Sequence, residues 1–269
     1  VNAHVHLEFS GLAAPRTSFT DWISTLVESF RHGAAPAHEV IGQGLRECVR
    51  WGTTTLGEIA QPGWSAEPFT ATGLDATVFL ELIAPTAEGV EAKLELARRH
   101  VEGPHSAACT HPGLSPHAPY SVHPKLLAAA VSLSARHKVP LAMRVAESIE
   151  ELELLRSGGG PFRDLLRGWG QWDPDIVRPG TRPLDYLRTL ARAHRTLVVH
   201  GNYLDGEEIA LLAEHRRRMS VVYCPRTHAY FGHPPYPHEE MFSAGVTVAL
   251  GTDSRASSRP SITWIFSPV

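Results

Sequence analysis

The sequence has no surplus of positive charge. Its 269 residues carry 25 basic and 28 acidic side chains, a formal −3. A chain that neutralises a phosphate backbone needs a basic field, so nucleic acid is excluded as a main partner. Cysteine is scarce: Cys48, Cys109 and Cys224 are widely spaced and odd in number. That pattern argues against a disulfide framework and for a reducing, cytoplasmic setting. No apolar run approaches the roughly 18 residues of a membrane helix, so no membrane partner is expected. No G-x-G-x-x-G follows the first strand candidate, which counts against an open dinucleotide-binding sheet. Repeats and low-complexity tracts are missing, and the Pro/Gly-rich stretches at 158–161 and 233–237 have the length of loops. The expectation is one domain over 1–269, incomplete at both ends.

What is present is apolar mass and histidine. A hydrophobic share of 43% with 20% charged residues suits a large buried core. Sixteen histidines point toward metal or acid–base chemistry. Short β-branched runs alternate with helical periods. Strands are expected at 1–6, 53–59, 76–83, 113–116, 141–146, 196–200, 219–223 and 246–250. Helices are expected at 21–30, 38–51, 88–100, 124–137, 183–193 and 206–218. Eight strands joined by crossovers predict a parallel α/β fold, and the number favours a closed (β/α)8 barrel of TIM type. Only 16 residues follow Asp253, so the eighth helix is expected to be short or missing.

In such a barrel the chemistry lies at the carboxyl ends of the strands. His4-x-His6 closes the first strand, and alternate residues facing one way place both imidazoles at the mouth, where they could hold one ion. His200 ends the sixth strand, either as a packed core group or as a functional one. Asp253 ends the eighth, where a carboxylate ligates a cation, accepts a proton or caps a following helix. The joint placement on strands one, six and eight is the informative feature.

Asn2-Ala3-His4-Val5-His6-Leu7-Glu8 resembles the opening motif of the amidohydrolase superfamily, in the cytosine-deaminase-like and adenosylhomocysteine-deaminase-like branch. The resemblance runs in family order through Gly52-Thr53-Thr54-Thr55, Ser115-Pro116-His117-Ala118-Pro119-Tyr120, Ala146-Glu147-Ser148, His200-Gly201-Asn202, Cys224-Pro225-Arg226-Thr227 and Gly251-Thr252-Asp253-Ser254. It implies that His4, His6 and Asp253 ligate one divalent ion, zinc first and iron second. It implies that His200 orients the water and Glu147 shuttles a proton to the ring nitrogen next to the attacked carbon. His117 would touch the substrate, and Arg226 a polar substrate tail. The implied reaction is attack of a metal-bound hydroxide on an amino-substituted purine- or pyrimidine-like ring carbon, with loss of ammonia. The same scaffold could release chloride or an alkylamine from a triazine-like ring. Family members also carry a small β-sandwich outside the barrel, whose segments are not found in this chain.

One residue departs from the pattern. The family places a metal-binding histidine three residues before the catalytic glutamate, and here that position is Arg144. A guanidinium stays protonated and has no lone pair to offer. Arg144 either swings away and leaves a weakened site, or takes the ion's place and pairs with Asp253, or reflects a single-base change in one isolate. A catalytically silent barrel with a binding or structural role is therefore the rival reading.

Strand four ends without lysine or glutamate, Lys125 lying beyond it, so with the resemblance a mononuclear site is expected. The turn at 157–162 either cradles an anion or leads into a helix with proline near its first position. The stretch 227–233 is expected as a loop that either lines the pocket or simply packs. Arg216, Arg217 and Arg218 form a solvated basic face at a helix end, and Cys224 is a small buried hydrophobe. Trp22 and Glu28, after strand one, carry no assigned role. A truncated barrel would expose apolar surface, so a tendency to self-associate, with homo-oligomers as one form, or to misfold is expected.

Overall fold

The computed structural model describes residues 1–12, 17–31, 37–103 and 108–258. The elements in chain order are β1 (Asn2–Val5), α1 (Phe19–Arg31), α2 (Ala37–Arg50), β2 (Thr55–Ala60), α3 (Glu67–Thr70), β3 (Asp75–Leu82), α4 (Val90–Glu102), β4 (Thr110–Pro116), α5 (Pro124–His137), β5 (Pro140–Val145), α6 (Ile149–Ser157), α7 (Pro161–Gly168), α8 (Pro183–Leu190), β6 (Arg195–His200), α9 (Gly206–Glu214), β7 (Met219–Tyr223), α10 (Pro225–Phe231), α11 (His238–Ser243) and β8 (Val248–Leu250). The eight strands form one sheet in sequence order, every pair parallel. The ends of β1 and β8 then meet. Asp253 donates its N–H to the His4 carbonyl at 2.9 Å, and His6 donates to the Asp253 carbonyl at 3.1 Å. Asn2 Nδ2 adds a bond to Thr252 Oγ1 at 2.8 Å. The sheet closes into the (β/α)8 barrel that the strand spacing predicts.

Boundaries follow local chemistry. α5 starts at Pro124, whose missing N–H costs nothing at a first helical position. Ser148 caps α6 through a bond from the Glu151 N–H, and Gly158 ends it at φ +66. Asp205 and Glu208 form a reciprocal capping box at the start of α9. The turn at 157–162 leads into α7 with Pro161 first, as the helix reading holds. The stretch 227–233 is corrected: it is not a loop, because Pro225 opens a helical turn and Gly232 at φ +69 closes it. After β8 a single 3-10 turn, Arg255–Ser257, follows, and no α-helix follows β8 among the described residues.

Two apolar layers result. Ile59, Phe79, Ala142, Val199 and Val222 come from five strands and, with Cys224 just past β7, form one cluster that fills the barrel interior. A larger cluster, including Leu82, Leu114, Leu141, Met143, Leu187 and Leu212, seals the sheet against the helices. The interior plug forms the floor beneath the strand ends.

Candidate active site

Four side chains on this floor come from the first, sixth and eighth strand ends. His4, His6, His200 and Asp253 are all at least 96% buried. Strict alternation does not deliver them there. Ala3 packs on the interior cluster while Val5, two residues on, belongs to the outer layer. The register shifts between Asn2 and Val5, so a bulge at this point re-aims the histidines. Leu197 and Val199 point inward on β6, so His200 would face outward were its backbone extended. Instead His200 has φ +68, and Ala146 and Asp253 have φ +54 and +56. Such left-handed backbone costs about 1–3 kcal/mol per non-glycine residue and concentrates at functional sites. Surrounding bonds hold it. Tyr236 Oη donates to the His200 carbonyl at 2.7 Å, and Asn202 Nδ2 to the Glu147 carbonyl at 2.9 Å. The buried Glu151 carboxylate accepts the Ala146 and Glu147 N–H groups at 2.8 and 3.1 Å.

The donor atoms of His4, His200 and Asp253 all lie within 4.8 Å of one another. Asp253 Oδ1 is 3.5 Å from His4 Nε2 and 3.6 Å from His6 Nε2. Its other oxygen, Oδ2, accepts from Thr227 Oγ1 at 2.9 Å and Ser257 Oγ at 3.1 Å. Both ring nitrogens of His4, Nδ1 of His6, Nε2 of His200 and Oε2 of Glu147 are buried without a hydrogen bond. Buried polar atoms are rarely left so, and each such group calls for a partner the chain does not supply. Glu147 Oε1 sits 3.1 Å from His200 Nε2.

Burial sets the ionisation. It pushes His4, His6 and His200 below the usual imidazole range, and the charge of Arg144 adds to the effect on each. These rings are therefore neutral near pH 7, with lone pairs to offer. Burial would raise the Asp253 carboxyl, but the His4 ring 3.5 Å away and the neighbouring His200 and His6 rings hold it well below its ordinary value. Burial pushes Glu147 well above the carboxylate range, and Arg144 opposes this only in part. His117, at the end of β4, is pushed down to about 4 by burial and by Arg144. Ser121 Oγ lies 3.2 Å from the Ala118 carbonyl and 2.6 Å from His117 Nδ1, an arrangement that fits the tautomer with the proton on Nδ1 and the lone pair on Nε2.

Arg144 points inward from β5, as a ligand at that position would. It does not pair with Asp253, which corrects that expectation. Its Nη1 donates to Glu81 Oε1 at 3.2 Å, and Nη2 makes a short contact to His6 Nε2. Gln61 holds the other Glu81 oxygen. The pairing follows from reach: Glu81 ends β3 and faces inward, whereas the Asp253 oxygens are engaged by His4, Thr227 and Ser257. Glu81 went unassigned in the sequence, although a lone carboxylate in Val78-Phe79-Leu80-Glu81-Leu82 marks an inward polar position. Arg226 lines a flank cavity of about 400 Å³ whose walls include His6 and Asp253 as well as Val1, Glu47, Trp51, Leu250 and Arg255.

Closed barrel and clustered mouth define an amidohydrolase-type barrel, and the chain belongs to the amidohydrolase family, whose model matches residues 1–264. It is 32% identical to the aminodeoxyfutalosine deaminase of Deinococcus radiodurans, over 96% of this chain and 63% of that protein. Helicobacter pylori aminofutalosine deaminase in complex with methylthio-coformycin superposes with a TM-score of 0.84 at 21% identity, covering 96% of this chain and 63% of that one. An adenosine deaminase from Xanthomonas campestris with bound zinc superposes at 0.68 and 24% identity, covering 95% and 56%. The chain thus spans less than two thirds of the length of these relatives.

Proposed function

We propose that the chain carries the metal-dependent site of a hydrolase that deaminates an aminated purine-like ring. The observation that carries this reading is the trio His4, His200 and Asp253, with orphaned nitrogens, beside a Glu147 carboxyl whose proton affinity is raised. The family membership and the deaminase names of its relatives support the same class. Two or three imidazoles with one carboxylate fit a catalytic zinc site, and iron also accepts such donors. His4 and Asp253 are fixed members of the set, with His6 or His200 completing it. When bound, the ion supplies a water that ionises near neutral pH.

The chain's own groups do the rest. Asp253 is ionised and takes the proton that the attacking water gives up. Glu147, protonated more readily than an exposed glutamate, hands a proton to the ring nitrogen beside the attacked carbon. A carbon–oxygen bond forms at that carbon and the ring nitrogen keeps the proton from Glu147; the proton taken by Asp253 passes to the amino nitrogen, the carbon–nitrogen bond breaks, ammonia leaves, and the remaining hydroxyl proton returns to Glu147 as the ring carbonyl forms. His117 Nε2 presents a lone pair at the mouth for a donor on the substrate.

A release assay for ammonia over a panel of purine nucleosides, aminopyrimidines and amino- or chlorotriazines tests this. Turnover of a purine nucleoside by the zinc-loaded chain is expected. Release of chloride alone would shift the substrate class. A metal-loaded chain that turns over none of the panel would contradict the reading and favour a silent barrel.

A further inference from the structure

Resting on that metal-dependent reading, we propose that the ion in this chain is held by His4, His200 and Asp253, and that Arg144 withdraws His6 from the ligand set. The sequence pattern treats His4 and His6 as a ligand pair, but the structure divides them. Both ring nitrogens of His4 are buried and unpartnered, whereas His6 Nε2 receives the guanidinium of Arg144. A guanidinium has no lone pair and stays charged, so the contact consumes the lone pair that His6 would give an ion. The arrangement is braced at both ends. The His6 ring stacks on Phe9 with centroids 4.9 Å apart and planes 7° from parallel. Arg144 is tied to Glu81, and Glu81 to Gln61.

His200 fills the gap. Its Nε2 is buried, 3.1 Å from Glu147 Oε1, and it belongs to the one trio of donors that converges within 4.8 Å among the described residues. Asp253 is prepared for the same centre. Thr227 and Ser257 occupy Oδ2, and Oδ1 faces the histidines. His6 becomes a positioning residue that holds Arg144 and Glu81 at the β3–β5 side of the mouth.

Zinc affinity, measured by competition with a chromophoric chelator, separates the possibilities. In the unaltered background, His200→Ala is expected to weaken zinc binding more than about 100-fold and His6→Ala by about 10-fold and well short of 100-fold, the smaller effect being that of a residue outside the ligand set. In an Arg144→His background the order is expected to reverse for His6, whose loss then costs more than about 100-fold. His200→Asn and His6→Asn repeat the comparison in case an alanine chain does not fold, with far-ultraviolet circular dichroism as the check. A His6→Ala loss equal to that of His200→Ala in the unaltered background would overturn the proposal while leaving the hydrolase reading standing. Failure of every chain, Arg144→His included, to take up zinc would overturn both.

Discussion

At the scale of single residues, Arg144 decides how the mouth is charged. Glu81 and Asp253 are held ionised and Glu147 is held toward its neutral form, so the guanidinium offsets one of two negative charges before any ion arrives. Two like charges a few ångströms apart repel by about 4 kcal/mol at an effective dielectric of 20. Arg144→His should therefore tighten zinc binding by more than about tenfold, read by chelator competition. An unchanged affinity would mean that Arg144 exerts no field on the ion. Glu147→Gln should lower kcat by about 10² to 10⁴ while zinc stays bound, the usual loss when a proton-transfer group is removed. Much of this site was legible in the sequence. His4, His6, His117, Glu147, His200 and Asp253 all sit at strand ends in the order the motifs give, while the bulge in β1 and the left-handed backbone at His200 and Asp253, which no strand period shows, aim them into the mouth. The partner of Arg144 was not legible, because Glu81 lies 63 positions away and only the β3–β5 geometry joins them.

At the scale of elements, the strand ends carry the strain and a buried carboxylate carries the load. Glu151, on α6, accepts two N–H groups from the end of β5, and burial pushes its carboxyl from 4.5 up to about 7. A folded-state value above the unfolded one means that the folded chain binds the extra proton. The stability contribution is therefore complete below about pH 4.5 and is lost as pH rises through about 7. The loss amounts to about 3 kcal/mol, and urea unfolding at pH 4.5 and 7.5 should show it. Between the two pH values Glu151→Gln should lose about 3 kcal/mol less than the unaltered chain; an unchanged pH dependence would place its origin in another group. Gly57 illustrates a second constraint. A Cβ there would press into the Ala3 carbonyl, between β1 and β2. Gly57→Ala should cost about 1–3 kcal/mol by thermal or urea unfolding. The expected strands and long helices match the observed elements to within a few residues. α3, α6, α10 and α11 were missed because each is at most nine residues long and built around prolines, glycines or capping groups rather than a full apolar period.

At the scale of the whole molecule, the β1–β8 seam closes the barrel while its outer flank stays apolar. Trp51 and Leu250 are 39% and 46% exposed, and both line the flank cavity with Val1. Exposed apolar surface of this kind promotes association. The 269-residue chain should self-associate, and Trp51→Glu with Leu250→Lys should shift it toward monomer in light scattering; a monodisperse monomer of the unaltered chain would count against this. No helix among the described residues is long and apolar enough to cross a membrane. The central claim is that this barrel mouth holds a divalent ion despite Arg144. Elemental analysis of the purified chain, after dialysis against metal-free buffer and reloading with zinc, tests it most directly. Retention of about one zinc per chain, from the donor number of a single catalytic site, is the predicted result. A chain that retains none, while Arg144→His retains it, would contradict the claim and make this a barrel whose guanidinium has replaced its metal.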